Sequence, residues 1–189
     1  MRTISIVIAA VALGASSLSA QASRPTVELR PFAGVTIPTG SQRDLFKDAP
    51  IAGLGLALQV RPNLHIVGTF GWMREHTKYN VSRNDANRYQ YDAGVEFSLE
   101  RDIAQSWTFR PFLGVGGGAR TYDYQASTLL TRTCTAGYGA IGSELRTGQT
   151  ALHFEARDYV FCSKSPLPGG DSKTRNDITM ALGLAYHLW

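Results

Sequence analysis

Three ionisable side chains alternate along one short segment and are the first candidates for chemistry. His153, Glu155 and Arg157 are each two residues apart, so they share one face if the segment is a β-strand. An imidazole beside a carboxylate can act as an acid–base pair. Attack on a lipid would also need a nucleophile, and no serine stands at a distinctive spacing from His153. The set is more typical of a buried ion pair, and we predict no catalytic residue.

A glycine-rich segment at 114–119 matches the glycine spacing of a dinucleotide-binding fingerprint but lacks the structural context that the fingerprint requires. Residues 120–124 alternate as further strand rather than as a helix, and no acidic residue follows about 20 positions on at a second strand end. His65, His76 and His187 are dispersed, without metal-ligand spacing. We therefore predict neither a cofactor nor a metal site.

The first 22 residues have the features of a secretory signal peptide. Arg2 is a positive start, residues 4–15 are apolar, and small residues allow cleavage after Ala20 or Ala22. We predict a cleaved signal over 1–22 and one β-barrel domain over 23–189. No later uncharged run exceeds about a dozen residues, whereas a membrane-spanning helix needs about twenty. The mature chain is then either soluble or a β-barrel.

Composition narrows the class of protein further. The formal net charge is +4, with 19 glycines in 189 residues. Lysines and arginines are scattered rather than gathered in a stripe, which argues against a nucleic-acid partner. The glycine and aromatic content suits strands and turns.

Apolar and polar residues alternate with a period of two in several segments. In 89–100 the odd-numbered residues are aromatic or aliphatic, while the even-numbered ones are polar or small. Strands of about ten residues with this pattern form transmembrane barrels. The same reading predicts eight strands, near 26–37, 51–60, 64–76, 89–100, 107–121, 134–146, 150–162 and 177–189.

The connections between these strands alternate between long and short. Long polar segments lie near 38–50, 77–88, 122–133 and 163–176, and short ones at 61–63, 101–106 and 147–149. Outer-membrane barrels have long extracellular loops and short periplasmic turns. The predicted fold is all-β: an eight-stranded antiparallel up-and-down transmembrane β-barrel.

A short repeat supports this strand map. Arg30-Pro31-Phe32-Ala33-Gly34-Val35 returns 80 positions later as Arg110-Pro111-Phe112-Leu113-Gly114-Val115. The offset equals four strands and puts the copies on the first and fifth strands, so they are expected on opposite sides of the barrel. Because proline removes a ladder hydrogen bond, each is expected near a strand end or a bulge.

The polar face carries too many ionisable groups to be turned toward lipid. An Arg in mid-bilayer costs about 2–4 kcal/mol, whereas acids and bases inside a narrow barrel can pair. A soluble lipocalin-like barrel would have the faces exchanged. We predict a charged lumen formed by Glu28, Arg30, Asp92, Glu96, Arg110, His153, Glu155 and Arg157. Aromatic residues near strand ends are predicted to lie at the membrane interfaces: Trp72, Tyr89, Tyr91, Trp107 and Trp189.

Several segments resemble the small outer-membrane β-barrel domains, the group that contains OmpA- and OmpX-type barrels. They are the signal peptide, the Pro-Phe-x-Gly-Val stretches at 31–35 and 111–115, residues 154–158 and the end at 183–189. The resemblance implies an integral bacterial outer-membrane protein surrounded by lipid. It also implies that the barrel-assembly machinery recognises the C-terminal strand through Trp189, although His187 stands where that family usually has an aromatic residue.

The two cysteines, Cys134 and Cys162, are predicted to form a disulfide. Export leads to an oxidising compartment. Each cysteine lies 14 residues from Gly148, so a three-residue turn at 147–149 would place them directly opposite. A slip of one residue would instead turn them to opposite faces.

The sequence is interpreted as that of a monomeric, non-enzymatic outer-membrane barrel. Its role would be structural, a surface interaction through the long loops, or a very narrow pore. The sequence leaves two alternatives open. One is an outer-membrane lipid-modifying enzyme, which a loop Ser or Thr against His153 would favour. The other is a soluble periplasmic lipocalin-like binder, which an apolar, hollow interior would favour.

Overall fold

The computed structural model describes residues 26–40, 43, 47–76, 85–124, 131–164 and 172–188. Within these ranges no helix is long and apolar enough to cross a membrane. The predicted signal peptide and Trp189 lie outside them. The chain forms the strands β1 (Val27–Pro38), β2 (Ala49–Arg61), β3 (Leu64–His76), β4 (Asp85–Ser98), β5 (Arg101–Ala104), β6 (Trp107–Tyr124), β7 (Arg132–Thr147), β8 (Thr150–Lys164) and β9 (Ser172–His187).

The strands close into a barrel of eight strands, in which β4 and β5 together form one. Neighbours in sequence pair antiparallel except β4 and β5, β1 pairs with β9, and β4 pairs with β6. The short β5 continues the line of β4, because the two pair with successive parts of β6. The predicted antiparallel eight-stranded barrel is confirmed.

The predicted fourth strand, 89–100, is divided at its end. β4 starts earlier, at Asp85, and stops at Ser98, after which the chain resumes as β5. The interruption faces Pro111, whose backbone accepts a bond from the Leu99 amide at 3.0 Å but has no N–H to return. The first proline of the repeat behaves alike: the β1–β9 pairing is interrupted between Leu29 and Phe32, on either side of Pro31.

The two ends of the barrel differ in their connections. At one end the strands are joined by the segments 39–48, 77–84, 125–131 and 165–171, and we call this the loop end. At the other, the turn end, the connections are 62–63, 105–106 and 148–149, and residues 99–100 join β4 to β5. Gly148 has a φ of 58°, a conformation that favours glycine in tight hairpins.

Apolar side chains cover the outside of the barrel, and charged ones fill its inside. Large exposed side chains include Leu56, Val95, Phe97 and Leu113. Water would be a poor solvent for such a surface, and contiguous apolar patches of this extent mark contact with lipid or protein. The faces are therefore those of a membrane barrel, and the arrangement that a soluble lipocalin-like protein requires is reversed here.

The repeated segments place large rings against glycines on the neighbouring strand. Phe32 pairs with Gly53, and Phe112 pairs with Gly142. A Cβ built on either glycine would overlap the phenylalanine ring beside it. Glycine thus makes room for an inward aromatic ring in both copies of the repeat, as in aromatic rescue of strand glycines.

The predicted Cys134–Cys162 disulfide is absent, and the turn explains why. Thr147 pairs with Thr150, so the turn has two residues, Gly148 and Gln149, instead of three. This shifts the register by one position, which reverses the face of one cysteine. Cys134 is buried inside the barrel, Cys162 is exposed outside it, and the two are not bonded.

Candidate functional site: the charged lumen

All eight predicted lumen residues are buried on the inward face, each no more than 7% exposed. The structure adds further polar residues to the same space, and these the sequence interpretation did not include. They are His65, Glu75, Arg88, Gln90, Arg120, Glu144, Tyr159 and Asp177. Each of them lies an even number of residues from the other inward positions on its strand. The alternation in the sequence could therefore have identified them as inward.

The turn-end cluster is centred on Glu28. Its Oε2 accepts from Arg30 Nη2 at 2.6 Å and from Arg110 Nη2 at 2.9 Å. Arg110 also binds Glu144, and Arg30 Nη1 binds Glu96 at 2.8 Å. Each guanidinium therefore joins carboxylates from different strands, which ties this end of the barrel together around its interior.

Three histidines enter this cluster, two of which, His65 and His187, lie far apart in the sequence. His65 Nε2 lies 2.8 Å from Arg110 Nη1, and His187 Nε2 lies 3.1 Å from Glu28 Oε1. His153 faces Glu144 through Nδ1 at 2.8 Å and Glu155 through Nε2 at 3.4 Å. Strands distant in sequence therefore bring these three rings to one level of the lumen.

The same region contains the one potential metal-ligand group found among the described residues. Ligand atoms of Glu28, Glu144 and His187 lie within 4.8 Å of one another. Arg30 and Arg110 already contact these carboxylates. Because these two guanidinium groups already provide the positive charge that a metal ion would bring, we do not propose a metal site.

In the middle of the lumen Arg157 links the two halves. Its Nε donates to Glu155 at 2.5 Å, and its Nη1 lies 3.4 Å from Asp92 Oδ2. Asp92 Oδ2 also accepts from Tyr159 at 2.7 Å and from Gln90 at 2.8 Å. These buried partners satisfy groups that would be costly to desolvate alone.

The loop-end cluster is centred on Asp177. Arg120 Nη1 donates to both of its oxygens, at 2.7 and 2.8 Å, and Arg88 Nη1 donates to Oδ2 at 3.0 Å. Arg88 also pairs with Glu75 at 2.8 Å. The Arg120 guanidinium lies 4.0 Å from the centre of the Tyr159 ring, a favourable cation–π arrangement.

These contacts run without a break from His187 near the turn end to Glu75 near the loop end. Between them lie two small cavities of about 10 Å³ each, one lined by Gln90 and Tyr159 and the other by Val67 and Thr69. Such a volume holds about one water molecule. In the described part of the barrel the lumen is packed with side chains.

The predicted interfacial aromatics lie on the outward face wherever the structure describes them. Trp72 and Tyr91 are exposed toward the loop end, and Tyr89 is half-buried there. Trp107 is exposed at the turn end. Trp189 lies outside the described residues, so its interfacial position stays a prediction.

No protein-family model matches the sequence, and no curated protein matches it. Similar folds occur among solved structures. Neisserial surface protein A is 11% identical with a TM-score of 0.58, over 85% of this chain and 96% of that one. OprG from Pseudomonas aeruginosa is 12% identical with a TM-score of 0.54, over 87% and 95%. The N-terminal β-barrel domain of OprF from the same organism is 12% identical with a TM-score of 0.53, over 86% and 97%.

The chain therefore has the fold of the small outer-membrane β-barrels. At these identities the likeness concerns the fold, and activity has to be argued from the site itself. The resemblance predicted from the sequence is confirmed at the level of fold, and the predicted outer-membrane location agrees with the proteins that share it.

Proposed function

We propose that this protein is a non-enzymatic, integral outer-membrane barrel with a closed lumen, which holds its long loops at the cell surface for a structural or binding role. The observation that carries the proposal is the uninterrupted network of ion pairs and hydrogen bonds that runs through the lumen from His187 to Glu75. It fills the interior, while the outside is apolar. Such a barrel is an anchor, and the surfaces that it would present outside the membrane are those of its loop end.

The packed interior argues against the narrow pore considered from the sequence. A conducting path needs linked space along the whole lumen, whereas the two cavities beside Arg157 each hold about one water. Opening a path would require Arg157 to leave Glu155 and Asp92 together. Each of those buried groups would then lose charged partners at a cost of several kcal/mol.

The surroundings of His153 argue against a lipid-modifying enzyme. Both ring nitrogens face carboxylates, and the ring stacks on Phe112 with centroids 5.2 Å apart. The side chain is 3% exposed, inside the barrel and away from the lipid. A general base for lipid hydrolysis would have to reach a nucleophile at the bilayer.

The location is tested by membrane fractionation and by mobility of unboiled protein on gels. We expect the chain in the outer-membrane fraction, with a mobility change on boiling. Protein that stays soluble and shows no change would contradict the membrane proposal.

The closed lumen is tested by planar-bilayer recording of the mature protein extracted from membranes. We expect no conductance steps from the wild type. The double variant Glu155→Ala with Arg157→Ala removes a carboxylate and a guanidinium together, so the net charge of the lumen is unchanged, and it should produce small steps. Val160→Ala, on the outer face of the same strand, is the matched control and should remain silent. Steady conductance steps from the wild type would contradict the closed lumen and show that the barrel is a pore.

The absence of an enzymatic role is tested with phospholipid and lipopolysaccharide substrates analysed by mass spectrometry. We expect both to be recovered unchanged. Product formation that His153→Gln abolishes would instead establish the enzyme.

A further inference from the structure

Charge is divided unevenly along the lumen. In the turn-end and middle parts, the described inward carboxylates of Glu28, Asp92, Glu96, Glu144 and Glu155 face Arg30, Arg110 and Arg157. At the loop end the relation is reversed. Arg88, Arg120, Arg132 and Arg175, here called the loop-end arginines, face two inward carboxylates among the described residues, Glu75 and Asp177. The loop end thus has an excess of positive charge.

Several N–H groups of the loop-end arginines are buried without an acceptor. Arg88 Nε and Nη2 and Arg120 Nε have no hydrogen-bond partner within the described ranges, and both side chains are fully buried. The same holds for Nε of Arg132 and of Arg175. A buried charged donor without an acceptor is unfavourable. Each of these donors would be stabilised by an added acceptor.

Strand register places Arg132 and Arg175 just outside the buried pair of arginines. On β7, Arg132 is one inward position nearer the loops than Cys134, whose strand partner is Arg120. On β9, Arg175 is one inward position nearer the loops than Asp177, which binds Arg120. Only β8 separates these two strands, so two half-buried arginines border the entrance above two buried ones.

The loop segments supply no net negative charge to balance this excess. Over 39–48, 77–84, 125–131 and 165–171 the sequence has Asp44, Asp48 and Asp171 against Arg43, Lys47, Lys78 and Arg83. The balancing anion is therefore expected from outside the chain.

We propose that the loop-end arginines form a binding site for an oxyanion, a phosphate or sulfate group that enters from the side of the long loops. Guanidinium groups match tetrahedral oxyanions because two N–H groups on one edge can donate to two oxygens. Nε and Nη2 of Arg88 form such an edge. Arg132 and Arg175 would draw the anion in and complete its contacts. The direction of entry rests on the proposed function, whereas the binding itself does not.

The test is calorimetric titration of the mature protein with inorganic phosphate and with sulfate, in nonionic detergent free of lipopolysaccharide. We expect saturable binding at one site, which sodium chloride at equal ionic strength does not reproduce. Arg132→Gln and Arg175→Gln should each weaken it about tenfold. Arg101→Gln, an exposed arginine at the turn end, is the matched control and should bind as the wild type does.

Thermal unfolding separates lost binding from lost folding. Without phosphate, Arg132→Gln should unfold at the same or a higher temperature than the wild type, because it relieves repulsion among like charges. With phosphate, the wild type should gain stability and the variant should gain less. Equal responses of wild type and variants, or equal effects of chloride and phosphate, would overturn the site. So would binding to lipopolysaccharide micelles without binding to free phosphate, since that result places the contact on the outer wall. Conductance in bilayers would contradict the closed anchor without bearing on this titration.

Discussion

Arg30 and Arg110 donate to the same oxygen atom, Oε2 of Glu28, at 2.6 and 2.9 Å. They are the first residues of the two repeated segments, and their strands β1 and β6 lie opposite each other in the ring of eight. The repeat therefore contributes two arginines to one carboxylate from opposite walls. The interior of the barrel is narrow enough for both side chains to reach it.

The first prediction concerns Glu28. Glu28→Gln removes the charge that Arg30 and Arg110 share and leaves two buried cations short of a partner. Breaking a buried pair typically costs about 3–5 kcal/mol, and we expect a loss of that order in the free energy of unfolding, measured with urea in lipid vesicles. Glu100→Gln breaks the exposed pair with Arg146 and should cost at most about 1 kcal/mol. Similar losses for the two variants would show that the Glu28 cluster has no special weight.

The second prediction concerns the close approach of β4 and β6. A Cβ at Gly118 would overlap the Tyr91 carbonyl oxygen and lie 2.8 Å from Asp92 Cα. Gly118→Ala should therefore destabilise the barrel by about 1–3 kcal/mol through overpacking. Gly139→Ala is the control, since nothing lies within 4 Å of its added Cβ. The same urea titration compares them, and an unaffected Gly118→Ala would mean that these strands are further apart than described.

The third prediction concerns the outer face. Val95 is 43% exposed on the outside of β4, so Val95→Arg would place a charge in lipid at a cost of about 2–4 kcal/mol near mid-bilayer. We expect a lower yield of heat-modifiable barrel in membranes. Thr147→Arg, at the exposed end of β7 beside the turn, should assemble normally. Equal yields from both variants would contradict the assigned orientation of the faces.

The fourth prediction concerns the cysteines. Because Cys134 points inward and Cys162 outward, denatured but unreduced protein should contain two thiols that react with a maleimide. In the folded barrel Cys162 should react first and Cys134 slowly. If the denatured chain had no reactive thiol, the result would support the disulfide and would require a three-residue turn.

The fifth prediction concerns assembly. We propose that Trp189 contributes to recognition of the last strand by the assembly machinery, and that its ring favours the membrane interface. Deleting Trp189 should lower the amount of folded barrel in cells, measured by heat modifiability, more than deleting Ser41 from a loop segment. An undiminished amount would place the signal elsewhere in the strand.

The sequence by itself determined the barrel class and the direction of its faces. Alternation with period two is a local property, so the inward positions of Asp92, Glu96 and Arg157 could be deduced without knowing any partner. The long and short connections and the 80-residue repeat then ordered the strands. Even the breaks beside Pro31 and Pro111 follow locally, because proline lacks an N–H.

Only the tertiary structure decided which of these residues meet. The contact of Arg120 with Asp177 depends on the register between several strands and on the stagger of the closed barrel, which no short segment specifies. The cysteines show how sensitive this is. A turn of two residues instead of three changes no local pattern, yet it moves Cys134 and Cys162 to opposite faces, because side chains in a strand alternate with every residue.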